Sequence, residues 1–237
     1  MAKITEIKGN VFESDCQVLV NPVNCVGVMG KGAALEFKKR FPTMYSAYVV
    51  MCEKKILKPG MLQLVKDEKK WILNFPTKNH WRFPSKIEYI EIGLKKFVEF
   101  YKTKNIRSIA FPKIGASAGG LEWLLVRSLI YKYLEPLDDL DVEIYHYDPN
   151  AIDGLFNVLF QKIHLFEISD YKENLGIRSD QAILIYDAMR NDKIKTMMDI
   201  QKIRGIGRKT IEKLYDFALD SNKKAITSPA DKQINLF

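Results

Sequence analysis

Gln17-Val18-Leu19-Val20-Asn21-Pro22-Val23-Asn24 runs straight into Cys25-Val26-Gly27-Val28-Met29-Gly30-Lys31-Gly32, and this junction decides the fold. The aliphatic run Gln17–Asn21 reads as a buried strand. Glycines 27, 30 and 32 then open a turn, and residues 32–41 repeat apolar side chains at helical spacing. A strand that ends in a glycine turn and enters a helix is half of a unit that builds a sheet covered by helices.

Working outward, the same alternation recurs up to residue 150. Strand-like segments occupy 61–65, 71–75, 108–111 and 141–147, where β-branched and aromatic residues crowd into a few positions. Helix-like segments occupy 43–53, 85–104 and 121–134. In 85–104, Ile87, Ile90, Leu94, Phe97, Val98 and Tyr101 share one face, and Ser85 and Glu88 stand at capping-box spacing. The expected class is α/β, with helices on both faces of the sheet. After Asp148-Pro149 the pattern changes to helical periodicity through residue 220. The polar stretch 222–232, with Ser228-Pro229, reads as a flexible tail. The expected organisation is an α/β domain over 1–150, a small all-helical domain over 151–221, and a tail over 222–237.

Composition bounds the function. At 237 residues, 47% apolar and 28% charged, the chain can bury a proper core, which excludes a disordered or collagen-like protein. No apolar run approaches the ~20 residues of a membrane helix, so no membrane partner is expected, and the start shows no signal-peptide core. Cys16, Cys25 and Cys52 form no C-x-x-C pair, and His80, His146 and His164 are scattered. These patterns predict a reducing cytoplasm and no metal or other cofactor. The net charge is +8. Residues 1–150 hold 23 Lys and Arg against 17 Asp and Glu, while residues 151–237 hold 14 against 12. The surplus is compatible with a polyanionic partner, a nucleic acid or a phosphate-rich ligand.

Two glycine loops are candidate phosphate cradles. The first is residues 27–32; the second is Gly115-Ala116-Ser117-Ala118-Gly119-Gly120, also entering a helix. Glycine lets the backbone approach a ligand closely, and helix N-termini offer N–H donors to phosphate. Neither loop has P-loop spacing or a good G-x-G-x-x-G, so ordinary βα turns remain the alternative. Asn21 and Asn24 stand where open α/β sheets bind ligands, and an amide can hydrogen-bond a sugar hydroxyl; a turn-forming asparagine is the alternative. Asn74-Phe75-Pro76-Thr77-Lys78-Asn79-His80-Trp81-Arg82 places a lysine, two rings and an arginine in one loop. Lys78 and Arg82 can meet phosphates, and His80 or Trp81 can stack on a base. The alternative is a solvated basic loop whose Trp81 packs on the body of the protein.

Residues 1–150 resemble a macro domain. The segments that carry the resemblance are Ile7-Lys8-Gly9-Asn10-Val11-Phe12, Val20-Asn21-Pro22-Val23-Asn24 with its Gly-Lys-Gly loop, and Ile114 through Gly120. Within macro domains they are most similar to the DarG class of DNA ADP-ribosyl glycohydrolases. The shared segments are Val28-Met29-Gly30-Lys31-Gly32, residues 37–42, residues 74–82 and Gly119-Gly120-Leu121-Glu122-Trp123. The resemblance implies a three-layer α/β/α fold with a mixed sheet and a cleft for ADP-ribose. It implies that Asn10 lies at the adenine, that Val11 contacts the substrate, and that residues 28–32 and 115–120 hold the diphosphate and distal ribose. Asn21, Asn24 and Thr77 are expected beside them, with Lys78 as the catalytic group. It also implies a substrate of ADP-ribose on a thymine of single-stranded DNA, placed there by a DNA ADP-ribosyltransferase toxin. Three positions depart from wider family patterns. Asn10 stands where many macro domains have Asp, Gly119 where a related glycohydrolase has a catalytic Asp, and Ser117 where Gly is usual.

The chemistry of Lys78 stays open between two routes. A neutral amine, its pKa lowered by burial or by Lys31, can attack the anomeric carbon and form a Schiff base. A protonated amine can instead assist departure of the base or steady negative charge.

Residues 199–218 resemble a helix-hairpin-helix, with Ile203-Arg204-Gly205-Ile206-Gly207 as the hairpin. Gly205 and Gly207 permit a tight turn whose N–H groups hold a DNA phosphate, and Arg204, Arg208 and Lys209 add contacts. Gln233-Ile234-Asn235-Leu236-Phe237 resembles the bacterial sliding-clamp pentapeptide, with Gln233, Leu236 and Phe237 as its contacts. Together these readings point to an enzyme that removes ADP-ribose from DNA. A non-catalytic ADP-ribose reader and a DNA- or clamp-binding scaffold are the alternatives.

Overall fold

Alternating burial along single strands sets the layers. The structure, a computed structural model, describes residues 1–30, 32–67, 70–190, 194–220 and 234–236. Its strands are β1 (Lys3–Gly9), β2 (Val18–Val23), β3 (Gln63–Lys66), β4 (Trp71–Pro76), β5 (Ser108–Pro112), β6 (Asp141–Tyr147) and β7 (Ile234–Leu236). Among the described residues they form one sheet in the order β1-β6-β5-β2-β4-β3-β7. The pairs from β1 through β4 are parallel, whereas β3 is antiparallel to β4 and β7 antiparallel to β3. The sheet is therefore mixed, as the resemblance implies.

Side chains of the central strands divide between two faces. Val18, Val20, Leu73, Phe75, Ile109 and Phe111 join α3 (Ile87–Phe100) and α4 (Trp123–Leu134) in one cluster. Leu19, Ile72 and Ala110 face α1 (Gly32–Arg40) and α2 (Pro42–Glu53) in the other. The three-layer α/β/α arrangement follows from this alternation.

Four details differ from the sequence reading. β1 is an edge strand whose apolar residues, Ile4 and Ile7, are only half-buried, so its composition carries little strand signal. The strand expected at 61–65 starts at Gln63 instead, and α3 ends at Phe100, short of Lys104. The capping box does not form. Lys86 is the N-cap of α3, and the Ser85 backbone N–H is drawn instead to the Gly119 carbonyl at 2.8 Å. The tail segment 222–232 lies outside the described residues.

Beyond β6 the described chain up to residue 220 is helical, with α5 (Gly154–Ile163), α6 (Ile168–Leu175), α7 (Ser179–Arg190), α8 (Met197–Ile200) and α9 (Arg208–Leu219). Their apolar faces close around Leu159, Tyr171, Ile185, Met197, Leu214 and Tyr215, and Leu35 of α1 joins the same cluster. Asp153 ties the two parts together. Its Oδ1 accepts from the N–H groups of Leu155 and Phe156 at 3.1 Å, capping α5, and from Arg40 Nη2 at 2.9 Å. Its Oδ2 accepts from Met197 N at 2.9 Å, which fixes α8. Arg40 also donates to Glu36 Oε2 at 3.0 Å, so two buried carboxylates share one guanidinium.

Burial, with the Asp153 charge adding to it and Arg40 opposing, pushes the Glu36 carboxyl up to about 7 from an ordinary 4.5. The folded protein therefore holds a proton on Glu36 that the unfolded chain has lost between pH 4.5 and 7. The contribution is fully present below 4.5 and lost as pH rises through 7, a change of about 3 kcal/mol. Glu36→Gln removes this dependence. The melting temperature of the wild type should fall more than that of the variant between pH 5 and pH 8. Parallel curves would contradict the shift.

Candidate active site

The carboxyl ends of the parallel strands open into a cavity of about 370 Å³, where open sheets bind ligands. Four segments meet there. The turn after β1 brings Asn10, Val11 and Phe12. Gly32 to Ala34 start α1, the end of β4 supplies Thr77 and Lys78, and the loop after β5 supplies Lys113, Gly115, Ser117, Ala118 and Gly119. Tyr145 and Tyr147 close it from the end of β6. They point the same way because strand side chains alternate.

Backbone pairing positions Lys78. The β2–β4 ladder continues past both strands, with Thr77 N donating to Val23 O at 2.9 Å and Cys25 N to Asn79 O at 3.1 Å. Lys78 sits between these two anchors, and its own carbonyl accepts from Cys25 Sγ at 3.4 Å. Its Nζ reaches across to the Ala118 carbonyl at 2.6 Å, so the amine bridges the β4 end and the second glycine loop. Burial pushes the Cys25 thiol up to about 12, so this thiol stays protonated and offers no thiolate nucleophile.

The second loop is built on its glycines. Gly115 and Gly120 have φ of +69° and +79°. At Gly119 an added Cβ would stand 2.0 Å from the Gly115 carbonyl oxygen and 2.4 Å from Ser85 Oγ. An aspartate at this position does not fit without displacing the Gly115 carbonyl. Ser117, in contrast, is absent from the positive-φ non-glycine residues Lys55, Asn105 and Asp139, so serine costs no backbone strain there.

Other expected residues take supporting positions. Asn24 does not line the cavity. Its Oδ1 accepts from Val26 N and Val28 N, its Nδ2 donates to Val28 O at 2.6 Å, and Tyr48 Oη donates to it. It folds the first loop from within. Asn21 is fully buried and donates to Asn74 Oδ1 at 2.8 Å, an amide pair inside the sheet. Val28, Met29, Gly30, Ala116 and Gly120 likewise do not line the cavity. Met29 is buried beneath the first loop. Lys31 lies outside the described residues.

The loop after Lys78 projects outward. His80 stacks on Trp81 with ring centres 5.5 Å apart, and Arg82 lies 4.8 Å over Trp81. Trp81 is 47% exposed and Phe83 64%, so neither ring packs into the body. In the hairpin, Gly205 adopts φ +94°, and Gly207 is an N-cap with no side-chain cap. Arg204, Arg208 and Lys209 are exposed. Of the terminal pentapeptide, the backbone of Ile234–Leu236 pairs with β3, while Gln233 and Phe237 lie outside the described residues.

Phe12, Ser85, Tyr145, Tyr147 and Met198 also line the cavity, and none stands out in the sequence as a site residue. The tyrosines carry a usable signal, two aromatic rings at i and i+2 on the last strand. Ser85 carries none, because its place is set by the Gly119 contact across the fold. Its buried Oγ has no hydrogen-bond partner among the described residues.

These features, a mixed sheet between helix layers with two glycine loops at its carboxyl edge, define a three-layer α/β module with a cleft at the strand ends. Residues 20–130 match the macro domain family model. The DNA ADP-ribosyl glycohydrolase of Thermus aquaticus is 46% identical over 144 residues, 59% of this chain and 40% of the relative. That of Mycobacterium tuberculosis is 35% identical over 227 residues, 92% of this chain and 59% of the relative. The solved macrodomain of M. tuberculosis DarG is 42% identical with a TM-score of 0.58, covering 61% of this chain and 98% of that one. Thermosipho africanus DarTG, solved in complex with ADP-ribose, is 38% identical with a TM-score of 0.58, covering 62% of this chain and 42% of that one. The chain belongs to the macro domain family, in the group that contains the DarG macrodomains. It spans between two-fifths and three-fifths of the length of these two glycohydrolases.

Gly119→Ala tests the second loop. The added methyl must displace the Gly115 carbonyl or Ser85, so ADP-ribose affinity should fall at least tenfold while Gly120→Ala, with open space for its Cβ, perturbs chiefly through φ. Calorimetric titration with ADP-ribose measures both. Wild-type affinity in Gly119→Ala would show the loop is not built as described.

Proposed function

We propose that this chain removes ADP-ribose from modified DNA, cleaving the N-glycosidic bond to a thymine base and so reversing a DNA ADP-ribosyltransferase toxin. The observation that carries the reading is the Lys78 amine, anchored at the β4 end and lying 2.6 Å from the second glycine loop within the cavity. The names of the Thermus and Mycobacterium relatives agree with it, as do the transferase fused to the glycohydrolase in T. africanus and the ADP-ribose complex of that protein.

In this reading Asn10 and Val11 take the adenine end, and Gly32, Thr77 and residues 115–119 surround the diphosphate and distal ribose. Lys78 acts at the anomeric carbon. As a neutral amine it attacks that carbon, the base departs with a proton, and ring opening gives an imine that water hydrolyses to ADP-ribose and free lysine. As an ammonium it donates to, or steadies, the departing base while water attacks. His80, Trp81 and Arg82, in the loop that projects beside Lys78, receive the single strand by stacking and phosphate contact. The domain division is 1–150 for the macro domain, 151–221 for the helical domain and 222–237 for the tail. The hairpin residues Arg204, Gly205, Gly207, Arg208 and Lys209 hold the DNA backbone. Gln233, Leu236 and Phe237 engage a sliding clamp, for which loss of clamp pull-down on deleting 233–237 is the test. The setting is cytoplasmic; no helix among the described residues is long and apolar enough to cross a membrane.

Lys78→Ala should lower hydrolysis of an ADP-ribosylated single-stranded oligonucleotide by at least 100-fold while ADP-ribose binding persists. Unchanged turnover would remove Lys78 from the chemistry. Borohydride added during turnover separates the two routes, since only the imine is trapped as an adduct on the protein. For the hairpin, Arg204→Ala with Lys209→Ala should reduce the salt slope of single-strand binding by about 0.7 for each phosphate no longer neutralised. An unaltered slope would place the strand elsewhere.

A further inference from the structure

The helical segment does more than pack against the macro fold, because it reaches the cleft at two points. Met198, the second residue of α8, lines the cavity. Three residues on, Gln201 Oε1 accepts from the backbone N–H of Gly32 at 2.8 Å, in the first glycine loop where α1 begins. Gly32 itself lines the cavity, with φ of +60° and open space where a Cβ would stand.

The Gln201 amide is held in one orientation. Its Nε2 donates to Tyr215 Oη at 3.0 Å, and Tyr215 is fully buried in the helical core. That bond turns Oε1 toward Gly32. The backbone beneath is held from two sides. Met197 N donates to Asp153, and Thr196 Oγ1 is hydrogen-bonded to the hydroxyl of Tyr147, a cavity residue, at 2.9 Å. The Arg208 guanidinium comes within 4.0 Å of the position a Cβ would take on Gly30, so the hairpin also abuts the first loop.

We propose that the α8 turn is the outer wall of the ADP-ribose cleft, with Gln201 as the positioning residue of the first glycine loop. The inference rests on the proposed function only for the identity of the ligand. The loop takes glycines at 27, 30 and 32, of which Gly27 and Gly32 hold positive φ, and glycine loses the most backbone freedom on ordering. A rigid acceptor on the Gly32 N–H removes part of that freedom before the ligand arrives, which raises affinity by pre-organisation. Gln201 thus acts on ligand binding without joining the bond-breaking step.

The test is calorimetric titration of the full chain with ADP-ribose, together with KM and kcat on an ADP-ribosylated single-stranded oligonucleotide. Gln201→Ala and the near-isosteric Gln201→Met both lose the acceptor. Lys39→Ala is the control, since Lys39–Asp216 links the same two parts through a half-exposed pair that is not part of the cavity lining. Both Gln201 variants should bind ADP-ribose three- to tenfold more weakly and raise KM accordingly, with kcat within twofold and melting curves close to wild type. Lys39→Ala should bind as wild type. Wild-type or tighter binding by the Gln201 variants overturns the proposal, tighter binding marking the side chain as an obstruction. Equal weakening in Lys39→Ala also overturns it, since general docking then suffices. Failure of the wild type to bind ADP-ribose instead overturns the ligand assignment, and the proposal with it.

Discussion

A single buried guanidinium holds the two halves of this chain in register. Arg40 closes α1, and its side chain meets Glu36 from the same helix and Asp153 from the first residue before α5. Burial opposes the Arg40 charge, and the two carboxylates more than offset that cost. Removing Arg40 would leave the buried Asp153 carboxylate uncompensated, a loss of about 3–5 kcal/mol. Asp153 is satisfied four times over, by two α5 N–H groups, by Met197 N and by Arg40, so its position leaves little freedom to the helices around it. The Arg40 guanidinium also lies 4.4 Å over the ring of Phe12, which lines the cleft. The interface and the ligand site therefore share a residue.

From that anchor the rest of the site follows by short steps. Fixing Met197 fixes α8, and α8 carries Met198 and Gln201 to the first glycine loop. On the other side the β2–β4 ladder runs on through Thr77 and Asn79 and leaves Lys78 between them. Two main-chain hydrogen bonds flank the lysine, and its amine donates to the Ala118 carbonyl. The cleft is thus bounded by the glycine-loop backbone on two sides and by the Phe12, Tyr145 and Tyr147 rings.

What could be read in the sequence was whatever repeats locally. Central strands announced themselves because both faces are buried, as Val18, Leu19 and Val20 show, and α3 because its apolar stripe is strict. The glycine loops and Lys78 were legible as motifs of contiguous residues. The missed features depend on contacts remote in the chain. β1 is an edge strand whose pairing with β6 spans more than 130 residues, and its polar face hides its period. Ser85 looked like a cap because capping is a local rule, yet the Gly119 carbonyl claims its N–H. Asn24 has the right chemistry for a sugar hydroxyl, but its carbonyl oxygen is spent on Val26, Val28 and Tyr48. Gln201 is an ordinary glutamine in sequence and becomes noticeable only when Gly32, 169 positions away, lies against it.

The second glycine loop also limits what chemistry the site can use. A carboxylate at position 119 would drive its Cβ into the Gly115 carbonyl, so no carboxylate stands at that position of the loop. The Cys25 thiol is kept neutral by burial, and the hydroxyl of Tyr145 is pushed up to about 12, mainly by burial. At the β4 end Lys78 is the side chain that reaches the second glycine loop, and the proposed reaction can use either of its protonation states. A glycosidic bond to a nucleobase suits such a site, because the base leaves as a delocalised anion that a single cation can steady. In the proposed reaction, the lack of a carboxylate at position 119 also keeps negative charge away from a substrate that carries a diphosphate and a DNA strand. The +6 balance of residues 1–150 works in the same direction, while the nearly neutral helical segment contributes through the geometry of Asp153, Gln201 and the hairpin turn.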